Sequence, residues 1–243
     1  MPDTVSFGYE DVAPEEKTAR VRGVFSNVAS RYDLMNDLMS AGQHRLWKHE
    51  FVRRVRPRRG EAILDMAGGT GDVALRLARA GAAVTVADIN PDMLAVGAER
   101  AKARGIGGLV WAEENAERLS FADRSFDAYT IAFGIRNVTD IPAALREARR
   151  VLRTGGRFYC LEFSRTRWPG FAALYESYAR HIVPKLGKAV AKDEDSYRYL
   201  IESIERFPDM PAFAGMIGAA GFRNVKADPI LGGLVAIHSG WKI

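Results

Sequence analysis

Apolar and polar residues along this chain change period several times, and each change marks an element. From Arg22 to Val55 apolar positions recur at three- and four-residue steps (Val24, Phe25, Val28, Tyr32, Met35, Leu38, Met39), which predicts helix, broken at Gly42 into two. Upstream, residues 1–20 are polar and predict a loose arm and then a helix start. Pro57 to Gly60 is a turn. The period then shortens. Ala62-Ile63-Leu64-Asp65-Met66 predicts a buried parallel strand that ends in a glycine cluster. Asp72 to Arg79 predicts a helix closed by Gly81. Ala83 to Ala87 predicts a second strand ending at Asp88, and Asn90 caps a helix opened by Pro91. Strands follow at Leu109–Trp111, Ser125–Phe133 and Arg157–Phe163, with a helix over Ile141–Leu152 and a Thr154-Gly155-Gly156 turn. A helix over Pro211–Ala220 and two last strands, Phe222–Ala227 and Gly233–His238, give a hairpin-like finish.

This β-α-β alternation predicts an α/β fold, a Rossmann-like doubly wound sheet, mostly parallel with a C-terminal antiparallel strand. N-terminal helices (1–57) precede a core (58–163). The aromatic-rich segment 164–207 is expected as a helical insertion or lid, and 208–243 closes a single domain.

The stretch Ala67-Gly68-Gly69-Thr70-Gly71-Asp72 lies between strand and helix. Glycines let the backbone turn sharply there and approach a ligand, and the amides of the following helix face outward. A loose glycine pattern alone also fits dinucleotide binders. Asp88, at the end of the next strand, suits the two hydroxyls of a ribose. The glycines fall as G-G-x-G, and carboxylates flank them at Asp65 and Asp72. Negative charge there is wrong for a pyrophosphate and right for the ammonium and sulfonium of S-adenosyl-L-methionine. Asn115 and Ala116, after the third strand, fall where an adenine ring passes; Asn115 read alone is a turn residue.

Composition narrows the class. Of 243 residues, 47% are hydrophobic and 27% charged, which suits a soluble globular domain. The lone cysteine, Cys160, excludes a disulfide framework and a cysteine-rich zinc site, and four scattered histidines make no metal cluster. The N-terminus lacks a signal-peptide pattern and no apolar run can span a bilayer, so a cytoplasmic location is expected. A net charge of +5 fits an anionic membrane, nucleic acid or no partner in particular. The basic-aromatic stretches Arg45–Arg59 and Trp168–Tyr178 read either as solvated faces or as peripheral docking sites on anionic inner-membrane lipid. Nucleic acid is not expected as a partner, since no RNA-binding module is visible. Oligomeric state is open, a homodimer included.

Longer signatures carry more. Phe25-Ser26-Asn27-Val28-Ala29-Ser30-Arg31-Tyr32-Asp33-Leu34-Met35-Asn36-Asp37-Leu38-Met39-Ser40 with His44-Arg45-Leu46-Trp47-Lys48 resembles the N-terminal signature of the ubiquinone/menaquinone biosynthesis C-methyltransferases. Phe133-Gly134-Ile135-Arg136-Asn137-Val138-Thr139-Asp140 is similar to their second signature, and Leu161-Glu162-Phe163-Ser164 and Gly232–His238 to their fifth strand and ending. The resemblance covers about residues 7–243. It implies transfer of a methyl from S-adenosyl-L-methionine to a ring carbon of a polyprenylated benzoquinol or demethylmenaquinol, near other quinone-biosynthesis proteins. It places cofactor contacts at Thr70, Asp88, Asn115 and Ala116. The family often has serine where this chain has Ala132, so no hydroxyl contact is expected there.

The chemistry that follows needs no metal. An aromatic carbon is a poor nucleophile until a neighbouring hydroxyl ionises, so the protein must position the quinol, remove a phenolic proton and exclude water. Arg136 is expected to stabilise the phenolate and Asn137 to orient the quinol oxygen; their plainer reading is a helix-entry turn. Asp33 is the carboxylate the motif offers for proton removal. Tyr32 and Asn36 share its helical side and could close the pocket, with core packing the alternative for Tyr32. His44 and Trp47 line a lipid entry or only anchor their helix.

Overall fold

The computed structural model describes residues 4–29, 32–166, 168, 170, 177–178 and 194–243. The strand periodicities translate into a seven-stranded sheet of order β5-β4-β3-β6-β7-β9-β8. Its strands are β3 (Ala62–Met66), β4 (Ala83–Asp88), β5 (Leu109–Glu113), β6 (Phe126–Ala132), β7 (Leu152–Phe163), β8 (Arg223–Ile230) and β9 (Val235–Trp241). β3 pairs in parallel with both β4 and β6, so the strand order reverses at β3/β6. Ligands of open α/β sheets bind outside the carboxyl ends of the strands at that point. β9 runs antiparallel between β7 and β8, as the chain's hairpin-like finish predicted.

Two apolar layers hold the sheet. On one face α3 (His44–Val55), α4 (Asp72–Arg79) and α5 (Pro91–Ala103) bury Trp47, Phe51, Val73, Leu77 and Leu94. On the other, α6 (Ile141–Val151) and α8 (Met210–Ala219) bury Leu145, Ala148, Phe213 and Ile217. Helix starts are capped as their sequences require. Asn90 accepts from the Asp92 and Met93 amides at 2.9 and 3.2 Å, and Asp140 accepts from the Ala143 amide at 2.9 Å.

A third cluster sits above the strand ends. It joins α1 (Pro14–Val28), α2 (Tyr32–Ser40) and α7 (Glu194–Arg206) through Val21, Val28, Met35, Tyr197 and Leu200. The break at Gly42 is present, between α2 and α3, where Ala41 and Gly42 take positive φ of 47° and 77°. Three elements differ from expectation. The N-terminal arm is a hairpin, β1 (Val5–Phe7) with β2 (Glu10–Val12), stitched to α7 where the Tyr9 amide donates to Glu202 at 3.1 Å. The helical stretch before α3 holds two helices, not one. The expected Thr154–Gly156 turn lies inside β7, where the register with β6 shifts, so the glycine pair serves a bulge. Of the expected 164–207 insertion, α7 is described. Phe171, Tyr175 and most of the proposed Trp168–Tyr178 docking stretch lie outside the described residues.

Candidate active site

At the reversal point two loop tips touch. Ala67, after β3, and Phe133, after β6, both hold positive φ (50° and 59°) without being glycine. Such residues cost about 1–3 kcal/mol each and concentrate at functional sites. Gly134 keeps the tips together, because a Cβ there would lie 2.4 Å from the Ala67 Cβ. Between and above them is a cavity, about 680 Å3 with the solvent space at its open mouth included. Gly69, Asp88, Asn115, Ala116, Tyr32 and Asn137 all line it, with Phe133 and Gly134 from the second tip and Val21 and Phe25 from α1.

The carboxylates behave differently. Asp88 accepts from the Gly69 amide and the Asn90 amide, both at 2.9 Å, and so ties the glycine loop to the start of α5. Burial pushes its carboxyl up to about 6, against the pull of those amides. Asp65 is 1% exposed; one oxygen accepts from the Thr130 hydroxyl at 2.7 Å, and Oδ2 has no partner among the described residues. Burial pushes it up to about 7, with the Thr130 hydroxyl and the Ala74 amide pulling the other way. Asp72 is also partly buried, but Lys48 at 3.1 Å and Arg76 at 3.2 Å overcome that and bring it down to about 2. Asp72 is therefore ion-paired, whereas Asp65 makes no ion pair among the described residues and feels Lys48 only at a distance.

The second signature folds into a short turn, Ile135–Asn137. Arg136 is buried there. Its Nη1 donates to Glu162 Oε1 and to the Phe133 carbonyl, both at 2.7 Å, and its Nε donates to the Ser203 hydroxyl at 3.3 Å. The guanidinium lies 5.7 Å from the centre of the Phe163 ring. Asn137 accepts from the Tyr199 hydroxyl at 3.1 Å. Arg136, Tyr199 and Ser203 line a second cavity of about 720 Å3, which shares Val138 and Thr139 with the first. Tyr32 stands in the first cavity's wall, its hydroxyl pushed up to about 12 by burial despite the nearby Arg136 charge.

Other expected residues fall elsewhere. Thr70 is buried and its hydroxyl is bonded by Arg100 at 3.1 Å. The same guanidinium pairs with Asp33 at 2.9 Å, so Asp33 clamps α2 over the glycine loop and does not line the cavity. Asp65, Gly68, Thr70, Gly71 and Asn36 are not in its lining either; Asp65 lies beneath the glycine loop, its Oδ2 3.3 Å from where a Cβ on Gly68 would sit, and Asn36 lies one turn beyond Tyr32. His44 is 3% exposed and bonds Asp37 at 2.8 Å. Trp47 is buried against Phe133 and Phe163, with ring centres 6.3 and 5.9 Å away. Both hold α3 in place. Asn115 Oδ1 accepts from the Glu117 amide at 2.9 Å, which is the turn role, although the residue also faces the cavity. Glu162, Thr130, Arg100, Tyr199 and Ser203 were not expected. Glu162 alone had a signal, a lone carboxylate inside the apolar run Phe158-Tyr159-Cys160-Leu161-Glu162-Phe163.

The family model of the ubiE/COQ5 methyltransferase family matches residues 13–242. The chain belongs to that family. The ubiquinone/menaquinone biosynthesis C-methyltransferase UbiE of Zymomonas mobilis subsp. mobilis is 66% identical over 241 residues, covering 99% of this chain and 100% of that one. Its counterpart in Caulobacter vibrioides is 50% identical over 251 residues, covering 99% and 98%. Among solved structures, a SAM-dependent methyltransferase from Aquifex aeolicus superposes with a TM-score of 0.64 at 14% identity, covering 86% of this chain and 97% of that one. One from Thermotoga maritima gives 0.63 at 18%, covering 91% and 99%. These two show the shared fold.

The family's methyl donor is S-adenosyl-L-methionine, and the residues present fit it. The orphaned Asp65 oxygen calls for a cationic donor. The cradle also needs its glycine: at Gly69 φ is +54° and a Cβ would lie 2.9 Å from the Met93 methyl. No group of three or more metal-ligating side chains occurs among the described residues.

Proposed function

We propose that this chain is a C-methyltransferase of ubiquinone and menaquinone biosynthesis, acting on a ring carbon of a polyprenylated benzoquinol or demethylmenaquinol. The full-length likeness to the Zymomonas mobilis enzyme carries this reading. S-adenosyl-L-methionine supplies a methyl group made electrophilic by a sulfonium sulfur. Asp65 holds its ammonium, Asp88 its ribose hydroxyls, and Asn115 and Ala116 its adenine edge. Gly68 to Gly71 supply the backbone against it, with Thr70 contributing its amide while Arg100 occupies its hydroxyl.

On the quinol side, Arg136 stabilises the phenolate. Its guanidinium is already fixed by Glu162, the Phe133 carbonyl and Ser203, so little reorganisation is needed as charge develops. Asn137, steadied by Tyr199, offers its amide to the quinol oxygen. Tyr32 and the apolar wall of α1 exclude water, with Asn36 supporting Tyr32 from the next turn. Loss of the phenolic proton, through water at the cavity's open mouth, pushes electron density onto the adjacent ring carbon; that carbon would take the methyl as its bond to sulfur breaks, leaving S-adenosyl-L-homocysteine, and its own proton would then leave by the same route to restore the aromatic ring.

The test is transfer of labelled methyl to a short-chain demethylated quinol, with RNA and buffer as controls. Label in the quinol fraction alone is expected, and a quinol fraction without counts would end the reading.

No helix among the described residues is long and apolar enough to cross a membrane. The polyprenyl tail favours the bilayer, so the enzyme works at its surface. Leu46, 71% exposed on α3, and Trp168, 55% exposed, are the apolar groups suited to it. Flotation with anionic vesicles should exceed that with neutral ones; equal recovery removes the electrostatic part.

A further inference from the structure

The Arg136–Glu162 pair poses a problem of charge. A buried ion pair stabilises a fold no better, in general, than well-packed apolar side chains of the same volume. The pair therefore calls for a reason beyond holding β7 to the Ile135–Asn137 turn. Arg136 has a functional reason, phenolate stabilisation, but it also brings a full positive charge beside a cavity meant for a positively charged sulfonium. The charge is close: the guanidinium donates to the carbonyl of Phe133, a residue that lines that cavity.

Glu162 answers this point for point. It sits at the carboxyl end of β7, 0% exposed. One oxygen accepts both from Arg136 Nη1 at 2.7 Å and from the Phe163 amide at 2.9 Å, so the carboxylate is fixed by backbone before it fixes the arginine. Its other oxygen has no partner among the described residues, so no further cation dilutes its charge. Both charges are felt inside the cavity, since Arg136 and Glu162 act in opposite senses on the Tyr32 hydroxyl in its wall. Burial pushes the Glu162 carboxyl up, and Arg136 is the strongest influence holding it down.

We propose that Glu162 is the counter-charge of Arg136: it positions the guanidinium and cancels its charge, so that the arginine needed for the quinol does not repel the cationic methyl donor. This rests on the reading that the cavity holds S-adenosyl-L-methionine. It makes Glu162 a positioning residue, acting through Arg136.

The two forms of the cofactor provide the test. S-adenosyl-L-methionine carries a positive sulfur, and S-adenosyl-L-homocysteine has the same groups with a neutral one. Calorimetric titration of each at pH 8 would be run on the wild type, Glu162→Gln, Arg136→Gln and the double variant, with thermal unfolding to show that each is folded. Glu162→Gln keeps the shape and leaves Arg136 uncompensated. It should weaken the methionine form about 5- to 10-fold, the effect of one unit charge a residue layer away, and the homocysteine form less than about twofold. The double variant should restore the wild-type ratio of the two affinities, which a merely structural role for Glu162 would not do. Should Glu162→Gln fail to fold, the double variant decides against the wild type: a cancelled pair and no pair at all should give the same ratio of the two affinities, whereas an uncancelled arginine would make the double variant favour the methionine form. Equal loss of both ligands in Glu162→Gln, or a double variant whose ratio departs from the wild type by more than about twofold, overturns the proposal. Methyl transfer to the quinol is scored separately, so the substrate reading can fail while the counter-charge stands, and the reverse.

Discussion

Asp65→Asn should make the protein more stable and worse at holding its cofactor. Folded Asp65 keeps its proton up to about pH 7, whereas an unfolded aspartate releases it near about 3.9. Between those values the folded state binds more protons than the unfolded chain. Stability from this group is thus full at low pH and is lost as pH rises through the folded value. By pH 8 the loss is ~4 kcal/mol, the cost of ionising a carboxylate with no cation beside it. Asparagine removes that charge and keeps the 2.7 Å bond from Thr130. It also puts an amide where Oδ2 had no partner, at about 1–3 kcal/mol. The cofactor-free variant should therefore gain about 1–3 kcal/mol at pH 8, a melting temperature higher by about 2–12 °C. At pH 5 the wild-type loss is only ~1.5 kcal/mol, about what the unpartnered amide costs, so the gain should vanish. With the carboxylate gone, the cofactor ammonium loses a charge-assisted partner and affinity should fall ~10- to 100-fold. Thermal unfolding from pH 5 to 8.5, with and without S-adenosyl-L-methionine, reads both effects. A stabilisation independent of pH, or unchanged affinity, would show that Asp65 is not a buried charge awaiting a cation.

Other substitutions separate the remaining roles. Arg136→Gln should lower turnover ~100-fold, the usual cost of removing one fixed donor to a developing oxyanion, and near-normal turnover would remove Arg136 from the chemistry. Asp33→Asn should cost less than about tenfold in kcat, because the structure uses this carboxylate to hold Arg100 at 2.9 Å; a loss of ~1000-fold would make it the proton acceptor after all. Gly134→Ala should destabilise the fold by about 1–3 kcal/mol and weaken the cofactor, since its Cβ would press on Ala67 at 2.4 Å; a neutral melting curve would show that the two loop tips can part freely.

What the sequence showed, and what it hid, follows from distance along the chain. The strand Ala62–Met66, the glycine loop, Asp88 and the Asn90 cap were legible because their signals are local: a five-residue apolar run, a glycine cluster, a cap one residue before a proline. The hairpin Val5–Val12 was not. Its strands are three residues each, too short for alternation to register, and a bond to Glu202, 193 residues on, secures it. The glycine pair at Gly155-Gly156 was read as a turn because bulge and turn use the same residues; only pairing with β6 separates them. Arg136 and Asn137 stand in a motif, but their supports do not: Glu162, Tyr199 and Ser203 come from 26 to 67 positions away, the first from β7 and the other two from α7 above the sheet.

That separation also explains the two outcomes for aspartate. Asp33 and Asp65 look alike in sequence, each an acidic residue in a motif beside a predicted ligand. Sequence could not say that Arg100, 67 residues from one of them, would take it. Nor could it say that Lys48 and Arg76 would both pair with Asp72, in the first helix turn after the glycine loop, and leave Asp65 without an ion pair among the described residues. The site is therefore defined less by where its acids are than by which cations the fold has already given away. Asp72 and Asp33 are neutralised by arginine and lysine, and Glu162 by Arg136. Asp65, and Asp88 held only by amides, keep the negative charge that a cationic cofactor can meet.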